Sequence, residues 1–216
     1  MVSNASYIHS LRYQWLNRFY DPVVRLSTRE SAVKKSMVSF LPPLNQGKVL
    51  DLACGTGTLS RVIKTAKPAF NIHGIDGDKD MLDRAIKMAR MAELDIHYDH
   101  GFAQQLPYDD STFDVVTSSL FFHHLTADDK RAAFREVYRV MKPKGLFLVA
   151  DWGRPQNFLM RMTFGLVQLL DGFETTADNV RGALPAMMEE AGLSPVDHLR
   201  TMATPLGTIT LLRASS

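Results

Sequence analysis

The sequence VLDLACGTGTLS, from Val49 to Ser60, joins a short apolar run to a turn that contains glycine. The apolar run includes an acid, Asp51, and the turn holds two glycines, Gly55 and Gly57. Glycine lets the backbone approach a ligand closely, and a tight turn between a strand and a helix is typical of nucleotide-binding loops. The pattern therefore predicts a strand, a ligand-binding loop and a helix, without saying which ligand is bound.

Strand-like and helix-like segments alternate along the chain after this loop. The strand-like segments are KVLDLA (48–53), NIHGID (71–76), DIHYDHGFA (95–103), FDVVTSSL (113–120) and LFLVAD (146–151). The helix between the second and third strands is expected to bury Met81, Ala85, Met88 and Ala92 on one face, and Thr126 to cap the helix before the fifth strand. Such alternation predicts a mostly parallel sheet covered on both faces, with ligands outside the carboxyl ends of its strands.

The last segments break the alternation. The segments VDHLRTMATP (196–205) and GTITLLRAS (207–215) are strand-like, with no room for a helix between them. Only an antiparallel hairpin joins strands so tightly. We therefore expect an α/β, Rossmann-like, doubly wound sheet of seven strands, mostly parallel with one antiparallel strand. Pro185 either opens the last helix or kinks a longer one, and the sequence leaves both readings open.

The bulk properties exclude several classes of protein. The net charge is +2 and no long basic run is present, which argues against a dedicated nucleic-acid surface. The single cysteine, Cys54, rules out an internal disulfide framework. No segment has the roughly 20 apolar residues of a membrane-spanning helix. These features predict a cytoplasmic protein that does not bind nucleic acid.

The spacing of the glycines limits the ligand. The loop of a dinucleotide-binding fold has the pattern Gly-x-Gly-x-x-Gly/Ala. Counted from Gly55, the last position of this pattern is Ser60, and counted from Ala53 it is Thr58, so neither reading fits. No Gly-Lys-Ser/Thr follows, as a triphosphate loop would require. Asp76 ends the second strand, where a carboxylate can bind both hydroxyls of an adenosine ribose. Together these observations favour an adenosine cofactor with an amino-acid tail.

Four ordered segments resemble the motifs of one enzyme family. VLDLACGTG, GIDGDKDML, LPYDDSTFDVVTSSLFFHHL and EVYRVMKPKGLFLVAD resemble, in this order, the motifs of class I S-adenosylmethionine-dependent methyltransferases. The set is similar to the ubiquinone/menaquinone-biosynthesis-like group, methyltransferase type 11. The resemblance implies a helical N-terminal cap over residues 1–43, a cofactor-binding domain over 44–216 and a helical insertion on the acceptor side at about 154–175.

The resemblance also implies which residues bind S-adenosylmethionine. Backbone groups of the first motif would hold the methionine part, Asp76 would bind the ribose, and Met81 would pack on the adenine. The Ala103 N–H and Gln104 would supply polar contacts to the adenine. The full predicted set is Asp51, Ala53, Cys54, Gly55, Gly57, Asp76, Gly77, Met81, Ala103, Gln104 and Ser119.

Three positions depart from the family pattern. Ala53 stands where glycine is usual, and Lys144 stands in the turn before the fifth strand. Phe102 replaces the aspartate that usually accepts a hydrogen bond from the adenine amino group. Phenylalanine cannot accept that bond, so adenine recognition must differ from the family pattern here.

No single catalytic residue follows from the sequence. Methyl transfer is a direct displacement, and a general base is needed only when the acceptor must lose a proton. Candidates near the expected site are His123, His124, Tyr20 and Asp151. Adjacent residues on a helix or strand do not share a face, so His123 and His124 are expected to be a poor metal pair, and no metal site is predicted.

The acceptor is expected to be a small, apolar or aromatic molecule. The segment FLMRMTFGLVQLLDGF (158–173) is rich in apolar and methionine side chains, which form adaptable walls. The same stripe would also suit a homodimer interface or surface contact with a membrane. The alternatives are a nucleic-acid methyltransferase, a dehydrogenase, and a non-catalytic accessory or sensor protein that binds S-adenosylmethionine.

Overall fold

The computed structural model describes residues 29–216, apart from the side chain of Leu170. Tyr20, and the part of the predicted N-terminal helical cap that precedes Arg29, lie outside the described residues.

A single sheet of seven strands organises the described chain. Its strands run in the order β3-β2-β1-β4-β5-β7-β6. The pairs β1–β2, β1–β4, β2–β3 and β4–β5 are parallel, and β7 is antiparallel to both β5 and β6. The predicted sheet with one reversed strand is therefore confirmed. The strands are β1 (Gly47–Leu52), β2 (Phe70–Asp76), β3 (His97–His100), β4 (Phe113–Ser119), β5 (Met141–Trp152), β6 (Val196–Thr204) and β7 (Gly207–Ser215).

Helices connect the strands, and their boundaries show where Thr126 and Pro185 lie in them. Thr126 caps the helix after β4 by accepting from the Asp129 N–H at 3.2 Å, as its spacing predicts. Pro185 lies in the first turn of a short helix of its own, so it opens the last helix. The helices are α1 (Glu30–Ser39), α2 (Thr58–Ala66), α3 (Lys79–Met91), α4 (Ala127–Val140), α5 (Phe158–Asp171), α6 (Phe173–Arg181) and α7 (Leu184–Glu190), with a 3₁₀ turn at Phe122–His124.

Successive strand residues contribute to two separate cores, one on each face of the sheet. Leu50 lies in a cluster with residues of α4 and α7. Its neighbour Val49 lies in a cluster with residues of α1, α2 and α5. Side chains of a strand alternate between faces, so strands that are apolar at every position must be covered on both sides. This arrangement leaves the carboxyl ends of β1, β2, β4 and β5 together at one edge.

The buried face of α3 differs from the expected one. The structure buries Leu82, Ala85 and Ala89, whereas Met88 is 42% exposed. The small alanines let α3 lie close against the sheet, which leaves the long Met88 side chain at the rim. The prediction of a face formed by Met81, Ala85, Met88 and Ala92 was therefore wrong by about one residue of rotation.

Within residues 29–216, every helix is too short or too polar to pass through a lipid bilayer.

Candidate functional site

The loop after β1 turns sharply because three of its residues adopt left-handed backbone conformations. Their φ angles are 55° at Ala53, 53° at Gly55 and 67° at Gly57. Alanine is strained in this region, whereas glycine is not. A side chain at Gly57 would also place its Cβ 2.3 Å from the Tyr98 hydroxyl oxygen. Glycine is therefore required at position 57 both by its backbone angle and by the space around it.

Gly55 borders open space at the point where the loop meets the end of β2. A Cβ built on Gly55 would meet no atom of residues 29–216 within 4 Å. Its N–H donates to Asp76 Oδ2 at 2.7 Å, which ties the loop to the second strand. The backbone of the loop is thus held in place beside a space that a ligand can enter.

Asp76 lies at the carboxyl end of β2 with both oxygens hydrogen-bonded to backbone. Oδ2 accepts from Gly55 and Oδ1 accepts from the Asp78 N–H at 2.9 Å. Burial raises the pKa of this carboxyl, although these backbone donors oppose the shift. A carboxylate has about four acceptor positions, so Asp76 retains capacity for ribose hydroxyl groups.

Asp51 lies beneath the loop and not in the open space. Its side chain is buried and accepts hydrogen bonds from the hydroxyl groups of Ser60 and Thr117. Burial raises its pKa to about 6, while Ser60 and the nearby Lys34 ammonium lower it. Asp51 therefore joins β1, α2 and β4 below the loop.

Cys54 is a packed residue of the loop. Burial raises the pKa of its thiol well above the ordinary value, and the charges of Asp51 and Asp76 raise it further. A thiol that stays protonated is a poor nucleophile. Cys54 is thus a packed residue of the loop and not a nucleophile.

Ser119, at the end of β4, carries a buried hydroxyl group that has no hydrogen-bond partner in the structure. The parallel register pairs Leu52 with Ser118, so Ser119 lies beside Ala53. Buried polar atoms are normally satisfied, and one left without a partner at a loop edge indicates a ligand position. Ser119 is therefore placed to contact a molecule held by the loop.

The predicted adenine side of the site gathers at the ends of β2 and β3. Ala103 is buried, while Met81 and Gln104 are half-buried. Phe102 is 47% exposed, and its ring lies 5.8 Å from that of His100. The Gly77 carbonyl accepts from His100 Nε2 at 3.1 Å. Sequence reasoning did not single out His100, whose only signal is its position at the end of the third strand.

Asp151 anchors the other half of the edge, where β4 and β5 end. Its carboxylate accepts from the Phe122 N–H at 2.7 Å, from His123 Nδ1 at 2.7 Å and from Asn179 Nδ2 at 3.3 Å. The backbone N–H groups of Phe121 and Trp152 donate to it as well. Burial alone would raise its pKa, but His123 and these donors hold the pKa below the ordinary value. Asp151 is thus an ionised, buried acceptor that orients His123.

His123 and His124 lie side by side, contrary to the expectation from sequence. Their ring centroids are 3.9 Å apart because both residues belong to a three-residue 3₁₀ turn and not to a helix or strand. Asp171, at the end of α5, approaches both: its oxygens are 3.8 Å from His123 Nε2 and 3.9 Å from His124 Nδ1. The prediction that the two side chains do not share a face was therefore wrong.

The charges of this group depend on its burial. Burial lowers the pKa of His123, but Asp151 and Asp171 outweigh it and raise the pKa above its ordinary value. Burial and the neighbouring His123 lower the pKa of His124. Burial raises the pKa of Asp171. Asp171 and Asn179 were both missed from the sequence, because only the folding of α5 and α6 over the sheet brings them to the 3₁₀ turn.

A row of large apolar side chains on α5 and at the start of α6 is exposed. We call these residues the α5 apolar face. They range from 54% to 78% exposed in the described structure. The opposite side of α5 is buried, with Phe164 packed edge-on against Trp152 at 5.3 Å. The α5 apolar face consists of Phe158, Leu159, Met162, Leu166, Leu169 and Phe173.

The residues around the loop fit S-adenosylmethionine. Open space borders Gly55, a carboxylate ends β2, and an unpartnered hydroxyl group ends β4. The carboxylate suits ribose hydroxyls, and the hydroxyl group and loop backbone suit an amino-acid tail. When bound, this cofactor supplies a methyl group on a positively charged sulfonium. The side chains of the chain then need only bind the cofactor, orient an acceptor and exclude water.

Comparison with known proteins agrees with this geometry. A family model described as "Methyltransferase domain" matches residues 49–145. The protein YcgJ of Bacillus subtilis has a similar solved structure, with a TM-score of 0.73 and 18% identity, covering 86% of this chain and 98% of YcgJ. This likeness shows the fold alone.

Two curated relatives are more similar in sequence. A demethylmenaquinone methyltransferase of Thermotoga maritima is 35% identical over 146 residues, covering 66% of this chain and 61% of the relative's length. A ubiquinone/menaquinone biosynthesis C-methyltransferase of a Shewanella species is 32% identical over 181 residues, covering 70% of this chain and 68% of the relative. The chain thus spans only about three fifths of the Thermotoga relative. From the motifs, the sheet and these relatives we conclude that the chain belongs to the class I S-adenosylmethionine-dependent methyltransferases of the ubiquinone/menaquinone-like group.

Proposed function

We propose that the enzyme methylates a small, apolar or aromatic molecule that carries one polar group. The α5 apolar face is the observation that supports this most directly, with six large apolar side chains between residues 158 and 173. Clusters of exposed large apolar side chains mark binding surfaces. A face of this kind suits an apolar acceptor, including one with a lipid-like tail.

The imidazoles of His123 and His124 form the polar end of the proposed acceptor site. α5 ends at Asp171, whose side chain lies near both imidazoles on the buried side of the helix, opposite the apolar face. The His124 side chain is 35% exposed and can reach a bound molecule. An acceptor would therefore bind around the end of α5, with its oxygen at His124 and its apolar part on the end of the apolar face.

The names of the two relatives support the same class of acceptor. One is a demethylmenaquinone methyltransferase and the other a ubiquinone/menaquinone biosynthesis C-methyltransferase. Quinones are apolar rings with oxygen substituents, which matches the proposed site. We therefore propose that a ring carbon or a hydroxyl oxygen of a quinol-like molecule attacks the methyl group.

The cofactor residues Asp76, Gly77, Met81, Ala103, Gln104 and Ser119 are proposed to keep the roles that the family resemblance implies. Gly55 and Asp76 would hold the cofactor at the end of β2, with Ser119 beside it. With the cofactor held in this way, the methyl group would lie between the loop and the ends of β4 and β5, which follow β1 in the sheet. The acceptor would approach from the side of α5.

Transfer of radiolabelled methyl groups from S-adenosylmethionine to a short-chain demethylmenaquinol tests the proposal. Leu169→Gln should raise the acceptor KM about tenfold, since a buried leucine contact contributes roughly 1.5–3 kcal/mol. Calorimetry should show unchanged affinity for S-adenosylmethionine. Met91→Gln is the matched control, because Met91 on α3 is also 70% exposed and lies outside the proposed site.

Two results would overturn the proposed acceptor class. One is methylation of polar acceptors or RNA but of no quinol or phenol. The other is an acceptor KM that Leu169→Gln and Met91→Gln change equally. Cofactor binding with no turnover of any acceptor would instead favour a sensor protein.

A further inference from the structure

The side chains of His123, His124 and Asp171 form a cluster of candidate metal ligands at the polar end of the acceptor site proposed above. One ligand atom from each residue lies within 4.8 Å of the other two. We propose that these three residues bind a divalent first-row transition metal ion. Metal binding by this cluster is independent of which acceptor the enzyme uses.

The distances between the ligand atoms suit a small metal ion if the three side chains move closer together. His123 Nε2 and His124 Nδ1 are 3.8 Å and 3.9 Å from oxygens of Asp171. Ligands about 2.0–2.2 Å from a tetrahedral zinc ion stand roughly 3.3–3.6 Å apart. The two distances reach different oxygens of Asp171, and the three ligand atoms lie within 4.8 Å of one another, so an ion would draw the side chains together by up to about 1.5 Å.

Asp151 prepares His123 for coordination. Its ionised carboxylate accepts from His123 Nδ1 at 2.7 Å, which leaves the lone pair on Nε2, the atom nearest to Asp171. Histidines that bind metals usually donate their second ring nitrogen to a carboxylate or carbonyl in this way. The ring orientation and the tautomer are thus fixed before any ion binds.

The chemistry of the donor set identifies the class of ion. Two imidazole nitrogens and one carboxylate suit zinc, iron(II), cobalt(II) or nickel(II), whereas magnesium and calcium prefer oxygen ligands alone. Three protein ligands leave at least one coordination position open for water or for an oxygen atom of a bound molecule. The partly exposed His124 indicates that this position faces the proposed acceptor side.

A second cluster in the described chain, His73, His97 and Asp99, provides a comparison. There the Asp99 carboxylate already accepts from the Tyr108 hydroxyl at 2.8 Å and contacts His97 Nε2 at 2.9 Å. The His97 side chain is 60% exposed, and no carboxylate orients His73 from behind in the described structure. Of these two clusters, the one at Asp171 has a buried ligand, His123, and a second carboxylate, Asp151, that fixes its ring.

Cobalt(II) titration of the untagged, chelator-treated protein tests the proposal. We expect visible absorption bands that saturate at one ion per chain, and zinc should displace the cobalt. His124→Ala and Asp171→Asn should each weaken binding at least about tenfold. His97→Ala, which disrupts the second cluster, should leave the affinity unchanged.

The affinity for S-adenosylmethionine, measured on every variant, shows that the fold is retained. The proposal is overturned if cobalt and zinc fail to bind at 100-fold molar excess. It is equally overturned if binding persists in His124→Ala and Asp171→Asn, or is lost in His97→Ala. None of these results bears on whether the enzyme methylates a quinol.

Discussion

At the scale of single residues, the buried acids of the site perform different tasks. Asp76 lies at the edge of the sheet, and its carboxylate can accept further hydrogen bonds. Asp51, by contrast, is buried beneath the loop. Asp151 is also enclosed, but five donors keep it ionised. Asp51 near the end of β1 thus supports the loop, Asp151 near the end of β5 orients His123, and Asp76 at the end of β2 is proposed to bind the cofactor.

Asp51 should make stability depend on pH in a definite direction. Its pKa in the folded protein is about 6, above the ordinary aspartate value of 3.8, so folding favours the protonated form. Its contribution to stability is therefore present below pH 4 and is lost as the pH rises toward 6. The full cost above pH 6 is on the order of 2–3 kcal/mol.

Asp51→Asn removes this titration while keeping the shape of the side chain. The free energy of unfolding in urea should fall less between pH 4 and pH 6 in the variant than in the parent. Other groups titrate in both proteins, so the difference between the two curves isolates Asp51. Identical slopes would show that the pKa of Asp51 is not raised in the folded protein.

At the scale of elements, Lys130 joins helices α4 and α6. Its side chain is fully buried, and Nζ donates to the Thr175 carbonyl at 2.6 Å and to Asp178 at 3.2 Å. α6 in turn carries Asn179, which donates to Asp151. Lys130 thus fixes the helix that supports Asp151 and, through it, His123.

Lys130→Met should lower the free energy of unfolding by about 2 kcal/mol, since hydrogen bonds of a buried charged group contribute roughly 1.5–3 kcal/mol. Amide protons of α6 should exchange faster in the variant. Lys142→Met is the control, because Lys142 also donates to an acid, Asp114, but its side chain is 43% exposed. The control should lose less than about 1 kcal/mol. Equal losses would contradict a special role for the buried lysine.

Among the helices and strands, some features could be predicted from the sequence and others could not. Alternating strands and helices, the Thr126 cap and the reversed β7 follow from local patterns and were confirmed. The orientation of α3 was not predicted correctly, because helical spacing alone does not say which of two adjacent faces packs closer. The pairing of His123 with His124 was missed because a three-residue 3₁₀ turn has no periodic signal.

At the scale of the whole molecule, the parallel strands explain why distant residues share one site. The ends of β1, β2, β4 and β5 lie at one edge, so Gly55, Asp76, Ser119 and Asp151 meet although about 100 residues separate the first from the last. Local motifs predicted the cofactor half of this edge. Asp171 could not be assigned, since only the packing of α5 brings it to the histidines.

Because one ligand would contact the ends of several strands, binding should stabilise the whole chain. S-adenosylmethionine at 100 times its Kd should add about 2.7 kcal/mol, or roughly 5–10 °C in Tm for a chain of this size. Asp76→Ala should abolish most of this shift. Asp78→Ala is the matched control, because Asp78 caps α3 by accepting from the N–H groups of Asp80 and Met81. Loss of this cap should lower the Tm without ligand by a few degrees and preserve the shift. A shift of the same size in Asp76→Ala and in the parent, measured by calorimetry at one concentration, would exclude Asp76 from the cofactor site.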